Sequence, residues 1–350
     1  MYKVLVVSNN PFYGGGESFI VSTLLPLRDY FDMCFIVRNA ELVEKIRQMD
    51  PASDTQVVLM ESSTLLGQRS EIRHCLQDFN PDLVIYNGGS TLFLSITFAA
   101  PSLLIRHTTD EAAGGTIRRF FYGMGLGTAF ALAHHTVHVS AYAASQQHIA
   151  RCRMSVIHHG AVQQAPRTTW YDGNRPLHLL YCGRIVQGKG LRLLIDAVKL
   201  LYFDGISDVE LTVVGTGPLM PVLKAAATPN VHFVGFQSDV TPFYREADVC
   251  MQLSRFEAFG LSALDALHYS MPVIATQVGG LPELVKDGYN GYLVQPNLNS
   301  VVKAIRMLAK SPELVKTMGN NSYTSAQENF TLETAILKYK NLINQIIENS

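Results

Sequence analysis

Residues Leu253 to Val294, LSRFEAFGLSALDALHYSMPVIATQVGGLPELVKDGYNGYLV, contain the features that decide the fold. The apolar run Val249 to Leu253 predicts a buried parallel strand. Gly260 then allows a sharp turn into a predicted helix from about Phe259 to Tyr269. The apolar segment from Pro272 to Thr276 predicts the next strand. This strand, helix, strand order is typical of a doubly wound α/β sheet.

Two acids of this stretch, Glu257 and Asp265, lie eight positions apart around the start of the predicted helix. The free N–H groups and the dipole of a helix N-terminus favour an anion such as phosphate. An acid beside a phosphate is unfavourable unless it accepts hydrogen bonds from neutral donors, and sugar and ribose hydroxyl groups are such donors. The pattern therefore predicts a site for a nucleotide sugar, a diphosphate flanked by two hydroxylated rings.

The stretch resembles the E-x7-E signature of retaining glycosyltransferases of the GT-B fold, family-4 type, also called glycosyl transferases group 1. The resemblance implies an α/β protein with two doubly wound, Rossmann-like domains and an interdomain cleft. It assigns the donor sugar to Glu257 and the nucleotide ribose to Asp265. Two positions depart from the family pattern: Asp265 replaces the second Glu, and Ser270 replaces a usual Gly.

A second glycine-containing segment, GRIVQGKG, follows the predicted strand Leu177 to Cys182. The resemblance implies that Arg184 and Lys189 in this segment bind the pyrophosphate. A glycine turn at a strand end agrees with this role, because it holds two cations where they stabilise the charge that develops on a diphosphate leaving group. The motif alone would favour an Arg and a Lys that are merely solvated on the surface. The motif lies before Glu257 by a number of residues that is normal for an α/β domain, and this separation favours the pyrophosphate site.

The N-terminal strand, Val4 to Val7, leads into the loop PFYGGGES and a predicted helix that begins at Glu17. Strand, glycine loop and helix form a phosphate-cradle layout. No Gly-Lys-Ser/Thr follows, so the loop is not a Walker A motif. The residues alone leave a ligand loop and a tight βα turn equally open. The resemblance favours a ligand loop in which Gly15 and Gly16 face the bound donor.

His107 follows the predicted strand Leu103 to Arg106, at the strand end where doubly wound sheets bind ligands. A lone His is more often structural. The family, however, has a His at this strand end near the donor sugar and the acceptor, so His107 is predicted to be functional. His159 takes the place of the Asn in the family's Asn-Gly pair at the domain junction.

Three further segments carry weaker predictions. The strand Val231 to Phe236 matches the family's strand beside the nucleotide base, and Phe236 is equally compatible with base packing and with the core. The GTGP segment after Leu211 to Val214 lacks a third glycine, so an NAD site is not expected. The apolar segment Arg118 to His134 favours a partly buried helix over a membrane-facing one, since its basic run is short.

Length and composition set the domain organisation. A chain of 350 residues exceeds what one core usually supports. We predict an acceptor domain over residues 1–168, joined by a C-terminal helix at 331–350, and a donor domain over 175–328. The polar segment Thr168 to Pro176 is the predicted linker. The formal net charge of −1 gives no electrostatic case for nucleic acid.

The five scattered cysteines and the short apolar run at the N-terminus predict a cytoplasmic protein without a signal peptide. No apolar run is long enough to span a bilayer. Peripheral contact with the inner face of a membrane stays open, because many relatives in the family act on lipid-linked acceptors.

The resemblance thus implies a retaining glycosyltransferase that moves a sugar from a nucleotide-diphosphate sugar to a glycan or lipid-linked acceptor, in cell-surface polysaccharide synthesis. No cofactor or metal ion is expected, because cations and a helix dipole take that role in the family. The alternatives are a non-catalytic subunit that binds nucleotide sugar, and a GT-B phosphorylase or epimerase. The predicted catalytic residues are Glu257, Lys189, Arg184 and His107. The predicted donor-binding residues are Gly15, Gly16, Gly183, Phe236, Phe259, Gly260, Leu261 and Asp265.

Overall fold

A computed structural model describes residues 1–51, 55–88, 100–107, 133–146, 153–205 and 209–350. The chain divides into two compact units, residues 1–160 with 332–350, and residues 161–331. Each unit is built on its own parallel sheet, which confirms the predicted doubly wound α/β class. Most of the apolar segment 118–134 lies outside the described residues. None of the described helices is long and apolar enough to cross a membrane.

The first unit contains a seven-stranded sheet in the order β3-β2-β1-β4-β5-β6-β7. Its central strands are apolar on both faces because helices cover both, as expected for a parallel sheet. The strands are β1 (Lys3–Ser8), β2 (Asp32–Val37), β3 (Gln56–Leu59), β4 (Leu83–Asn87), β5 (Ser102–Arg106), β6 (His135–His138) and β7 (Arg153–Val156). The helices are α1 (Gly15–Phe19), continued by a π turn (Ile20–Leu24) and a 3₁₀ turn (Leu25–Asp29), α2 (Ala40–Met49), α3 (Leu65–Phe79), α4 (Ala141–Ser145) and, from the C-terminus, α12 (Leu332–Glu348).

The second unit contains a six-stranded sheet in the order β10-β9-β8-β11-β12-β13. The strands are β8 (Leu177–Cys182), β9 (Val209–Val214), β10 (Val231–Gly235), β11 (Val249–Gln252), β12 (Val273–Thr276) and β13 (Gly291–Val294). The helices are α5 (Leu191–Phe203), α6 (Met220–Ala226), α7 (Thr241–Glu246), α8 (Leu261–His268), α9 (Leu281–Leu284), α10 (Leu298–Ala309) and α11 (Pro312–Asn329).

Both sheets have the strand order of doubly wound nucleotide-binding folds. The order reverses between β1 and β4 in the first unit and between β8 and β11 in the second. Connections leave in opposite directions at such a reversal, so a crevice opens at the carboxyl ends of the two strands, and ligands bind there. The topology therefore marks one candidate ligand crevice in each unit.

The predicted linker, Thr168 to Pro176, lies inside the second unit, because the units divide after residue 160. Side chains of this segment anchor it there. Arg175 forms a bidentate pair with the buried Asp248, at 2.6 and 2.7 Å. The hydroxyl of Tyr171 donates to the carbonyl of Ala309 at 2.9 Å. The polar composition suggested a linker, but these long-range contacts fix the segment to the second unit.

The end of α8 explains why the family usually has a glycine at position 270. Ser270 has a φ of 55°, in the left-handed region. Its N–H donates to the carbonyl of Leu267, and the N–H of Met271 donates to the carbonyl of Ala266. These two bonds form a Schellman motif, whose left-handed residue is usually Gly because a side chain there is strained. The Ser270 hydroxyl also accepts a hydrogen bond from the backbone of Arg167 at 3.2 Å.

Candidate active site

Two loops meet at the strand-order reversal of the second unit, one after β8 and one after β11. The N–H of Arg255 donates to the carbonyl of Gly188 at 2.7 Å. Gly190 has a φ of 75°, and a Cβ there would lie 1.9 Å from the carbonyl oxygen of Leu253. Only glycine permits this approach. The backbone of the two loops therefore holds the Lys189 segment against the Glu257 segment.

The carboxylate of Glu257 is the centre of this site. Three side chains donate to its Oε2 atom: Lys189 Nζ at 2.8 Å, Gln252 Nε2 at 2.9 Å and Ser254 Oγ at 3.0 Å. None of the described residues donates to Oε1. The side chain is 14% exposed and that of Lys189 is 29% exposed, so both reach solvent. A carboxylate fixed through one oxygen leaves the other oxygen to accept hydrogen bonds from a ligand.

Gln252 and Ser254 were not among the residues predicted from the sequence. Their position could have identified them, because both lie at the carboxyl end of β11, a strand at the reversal, where this fold class binds ligands. Their side chains, together with Lys189, satisfy one oxygen of the acid and fix its direction. Positioning of this kind reduces the freedom of a binding group before the ligand arrives.

The glycine pair Gly279-Gly280 supports the Glu257 loop from the far side. The N–H of Gly280 donates to the carbonyl of Glu257 at 3.0 Å. Gly279 has a φ of 59°, and a Cβ there would lie 1.8 Å from the same carbonyl oxygen. A Cβ at Gly280 would lie 2.4 Å from the carbonyl oxygen of Ala258. Both glycines are needed because the turn before α9 packs directly on the backbone that carries the acid.

The GTGP segment supports the loop of Arg184 and Lys189 in the same way. A Cβ at Gly215 would lie 2.0 Å from the carbonyl oxygen of Gly183, and one at Gly217 would lie 2.3 Å from that of Ile185. The N–H of Ile185 donates to the carbonyl of Thr216 at 2.9 Å. From the sequence, only an NAD site was not expected here, whereas the structure gives these glycines a supporting role.

The predicted donor-binding aromatics differ in exposure. Phe236, just after β10, is 72% exposed, which excludes the alternative that its ring is part of the core. The ring of Phe259 is 2% exposed and lies edge-on to Phe330, with centroids 6.0 Å apart. The structure thus gives the Phe259 side chain a packing role.

Arg184 is exposed, and its guanidinium has no ion pair with any residue that the structure describes.

Helix α8 places the second predicted acid. Gly260, with a φ of 111°, is its N-cap, and Leu261 is its first residue. Asp265 lies one turn further and is partly buried. Burial raises the pKa of its carboxyl from 3.8 to about 7. No described residue donates a hydrogen bond to this carboxylate. Folding has therefore partly removed the acid from water without supplying a hydrogen-bond donor from these residues.

The raised pKa of Asp265 predicts a pH-dependent effect of replacing it. Between about pH 4 and 7 the folded protein keeps a proton that the unfolded chain has released, so this group lowers stability as pH rises through that window. Asp265→Asn should therefore raise the midpoint of urea unfolding more at pH 8 than at pH 4.5. Asp196 on α5, which is half exposed and pairs with Arg192 on the same helix, offers a control, Asp196→Asn, that should show no such difference. An equal gain at both pH values would contradict the prediction.

The first unit brings together Gly16, Asn87 and His107 at its own strand-order reversal. The Asn87 Nδ2 atom donates to the carbonyl oxygen of Gly16 at 3.1 Å. The Asn87 Oδ1 atom lies 2.7 Å from Nε2 of His107. Burial lowers the pKa of His107 from 6.5 to about 4. The predicted glycine loop, where Gly15 begins α1, is thus connected to His107 through one asparagine that the sequence analysis missed.

Glu17, the acid that follows the glycine loop, is buried and faces inward. Its carboxylate accepts hydrogen bonds from Asn10 Nδ2 at 2.9 Å and from Ser8 Oγ at 3.4 Å. Burial raises its pKa, and these hydrogen bonds oppose the rise. Glu17 therefore ties the start of α1 to the end of β1 and shapes the loop between them.

Comparison with known proteins identifies a matching family model and similar chains. Residues 176–311 match the family model of glycosyl transferases group 1. The chain is 32% identical over 174 residues to an uncharacterized glycosyltransferase of Methanocaldococcus jannaschii, covering 48% of each chain. It is 27% identical over 177 residues to a capsular polysaccharide biosynthesis glycosyltransferase of Staphylococcus aureus, covering 49% of this chain and 46% of that protein. The chain thus spans about half the length of these curated relatives.

A solved structure matches nearly the whole chain. The Anabaena protein HepE, in complex with UDP and glucose, superposes with a TM-score of 0.84 at 18% identity, over 98% of this chain and all of that one. A likeness at this identity establishes the fold. The chain has the GT-B fold, and the part of it that matches the glycosyl transferases group 1 model, residues 176–311, lies within the second unit.

Proposed function

We propose that this protein is a retaining glycosyltransferase that moves a sugar from a nucleotide-diphosphate sugar to a glycan or lipid-linked acceptor. The observation that carries the proposal is the Glu257 carboxylate, held by three donors beside the loop of Lys189 and Arg184. It lies at the strand-order reversal of the second unit, where this fold class binds nucleotides. UDP and glucose bound to HepE support a nucleotide-sugar donor.

In this proposal the Oε1 atom of Glu257 accepts hydrogen bonds from hydroxyl groups of the donor sugar. Lys189, Arg184 and the N–H groups at the start of α8 bind the diphosphate. These groups also stabilise the negative charge that develops as the glycosidic C–O bond breaks. The proposal assigns to these cations the charge neutralisation that a divalent metal supplies in other enzymes, so a chelator should leave the rate unchanged.

The reaction step replaces one bond to the anomeric carbon with another on the same face. The bond from the anomeric carbon to the diphosphate oxygen breaks, and the acceptor oxygen bonds to that carbon. The acceptor proton goes to an oxygen of the leaving phosphate, so the products are the glycoside and the nucleoside diphosphate. Asp265 contacts the ribose and Phe236 packs on the base. His107 contributes a neutral imidazole that accepts a hydrogen bond from a ligand hydroxyl group.

The name of the Staphylococcus aureus relative supports a role in cell-surface polysaccharide synthesis. A cytoplasmic location, with peripheral contact at the inner face of a membrane, is part of the same proposal. Fractionation of cells that express the protein tests this part separately from the chemistry. Recovery of the protein from the culture medium would contradict it.

A thermal-shift panel with UDP, GDP, ADP and their common sugars tests the donor site first. A ligand at 100 times its dissociation constant stabilises the fold by about 2.7 kcal/mol. We expect a shift with one of the nucleotides, a larger shift with its sugar, and loss of both shifts in Lys189→Ala. The absence of any shift in the unaltered protein would contradict the proposed donor site.

Product analysis then separates the possible activities. Transfer to an acceptor with the anomeric configuration kept, and without added phosphate, is the expected result. Turnover only with inorganic phosphate would indicate a phosphorylase, and conversion of the donor to its epimer would indicate an epimerase. Nucleotide-sugar binding without turnover of donor, alone or with acceptors, would favour a non-catalytic subunit.

A further inference from the structure

Two imidazole rings in the first unit stack on each other, and only one of them was predicted to be functional. The rings of His107 and His159 have centroids 5.4 Å apart and planes 9° apart. Phe19 lies edge-on to both, with centroid distances of 5.0 and 5.1 Å. His159 and Phe19 are both buried. His159 therefore covers one face of the His107 ring, and the Phe19 ring packs against the side of the stacked pair.

The hydrogen bonds around His107 define which ring nitrogen carries the proton. The carbonyl oxygen of Gly16 only accepts, so the Asn87 atom that faces it is the amide nitrogen, at 3.1 Å. The Oδ1 atom of Asn87 then faces His107, so Nε2 of the imidazole donates to it, at 2.7 Å. A neutral imidazole with its proton on Nε2 has a lone pair on Nδ1.

The Nδ1 atom of His107 is buried, and no residue that the structure describes donates a hydrogen bond to it. A buried acceptor without a donor is costly. A sugar or acceptor hydroxyl group would satisfy it, because a hydroxyl donates one hydrogen bond. The unsatisfied atom therefore indicates where a hydroxylated ligand meets the ring.

Burial also favours two neutral rings at neutral pH. Burial lowers the pKa of His107 to about 4. Burial, and then the charge of His107, holds the pKa of His159 well below its usual value of 6.5. The carboxylate of Glu17, the nearest acid on α1, accepts hydrogen bonds from Ser8 and Asn10. Three further titratable or charged groups lie beside the pair: Arg106, the last residue of β5, precedes His107; His158, after β7, precedes His159; and Tyr339 on α12 packs on Phe19.

We propose that His159 is a positioning residue for His107: by covering one ring face it excludes water and holds His107 neutral, with Nε2 protonated and Nδ1 ready to accept a hydrogen bond from a ligand hydroxyl. The role of this hydroxyl in sugar transfer rests on the proposed function. The state of the His107 ring does not rest on it.

An NMR titration of protein labelled with ¹⁵N-histidine tests the inference without any assay of activity. The ¹⁵N shifts distinguish the two tautomers from the imidazolium, and His107→Gln assigns the His107 signals. In the unaltered protein we expect the neutral Nε2–H form of His107 down to about pH 5. His159→Asn and His159→Gln open the ring face to water and should raise the His107 midpoint by about one pH unit. His159→Phe keeps the face covered and should leave the midpoint close to that of the unaltered protein.

The pH dependence of transfer gives a second measurement. If the unaltered protein transfers sugar, the acidic limb of kcat/KM in His159→Asn should move up by the same amount as the NMR midpoint. An unchanged His107 midpoint in both His159→Asn and His159→Gln, or a proton on Nδ1 in the unaltered protein, would overturn the inference. Expected NMR results together with an absence of transfer would instead contradict the proposed function alone.

Discussion

Replacing Lys189 with alanine should reduce the rate of sugar transfer by about 10³-fold, which corresponds to about 4 kcal/mol of lost transition-state stabilisation. The ammonium group lies 2.8 Å from the Oε2 atom of Glu257, at the crevice of the second unit. It has three N–H donors, and the ion pair uses one of them, so two remain for the diphosphate. The charge on the diphosphate grows as the glycosidic bond breaks, and the cation therefore stabilises the transition state more than the bound donor.

The matched control for this variant is Lys199→Ala. Lys199 lies on α5, the helix that begins just after Lys189, and is exposed. The helical rise of 1.5 Å per residue places it about 13 Å along the axis from the site. Lys199→Ala should leave both the rate and the nucleotide-induced thermal shift unchanged. Full activity in Lys189→Ala, measured as initial rates at saturating donor, would show that the diphosphate assignment is wrong.

Replacing Glu257 with glutamine should lower kcat/KM by about 10² to 10³-fold, because an amide nitrogen replaces a carboxylate oxygen at the site. The amide oxygen can take the position of Oε2 and accept from Lys189, Gln252 and Ser254. The NH₂ group then lies where Oε1 accepted hydrogen bonds, so a donor faces the hydroxyl groups of the sugar. The variant should keep the fold of the site and lose the hydrogen-bond acceptor for the hydroxyl groups of the sugar.

Ligand binding separates this effect from a general loss of structure. In Glu257→Gln the thermal shift with the free nucleoside diphosphate should persist, because Lys189 and Arg184 are unchanged. The additional shift with the nucleotide sugar should disappear. The control Glu313→Gln alters an exposed acid in the first turn of α11 and should change neither shift. An undiminished rate and an undiminished shift with the nucleotide sugar would contradict the role of Glu257.

A double-mutant cycle tests whether the two residues act as a pair. Lys189 and Glu257 are in direct contact, so their effects on the rate should not add. The double variant should lose less activity than the product of the two single losses, because either single variant already removes the ion pair between Lys189 and Glu257, and the pair can be lost only once. This follows from the contact itself and needs no further assumption about the donor sugar.

The candidate site could be predicted from the sequence only where a residue type and its place on a strand end carry the chemistry. Glu257 and Lys189 were predicted because their segments, after two different strands, resemble motifs of one family; the glycine turn around Lys189 taken alone would favour a solvated surface lysine. Gln252 and Ser254 were missed because polar side chains at a strand end are common, and nothing local shows that both point at one carboxylate oxygen. Asn87 was missed for the same reason.

The sequence by itself determined the two parallel sheets. Apolar runs such as Val4 to Val7 are buried on both faces in the fold, and their alternation with helical patterns is a local property that each segment carries alone. The end of α8 is also local, because the left-handed Ser270 and the two hydrogen bonds of its turn lie between Ala266 and Met271. These features depend on neighbours a few residues away.

Only the tertiary structure decided how loops that are distant in sequence pack against one another. The glycines of GTGP support the Arg184 loop, the pair Gly279-Gly280 supports the Glu257 loop, and His159 covers His107. The observed boundary between the units differs from the predicted linker for the same reason. Ion pairs and hydrogen bonds tie residues 168–176 to the second unit. Close backbone approach and ring stacking depend on distances in space, which the order of residues does not contain.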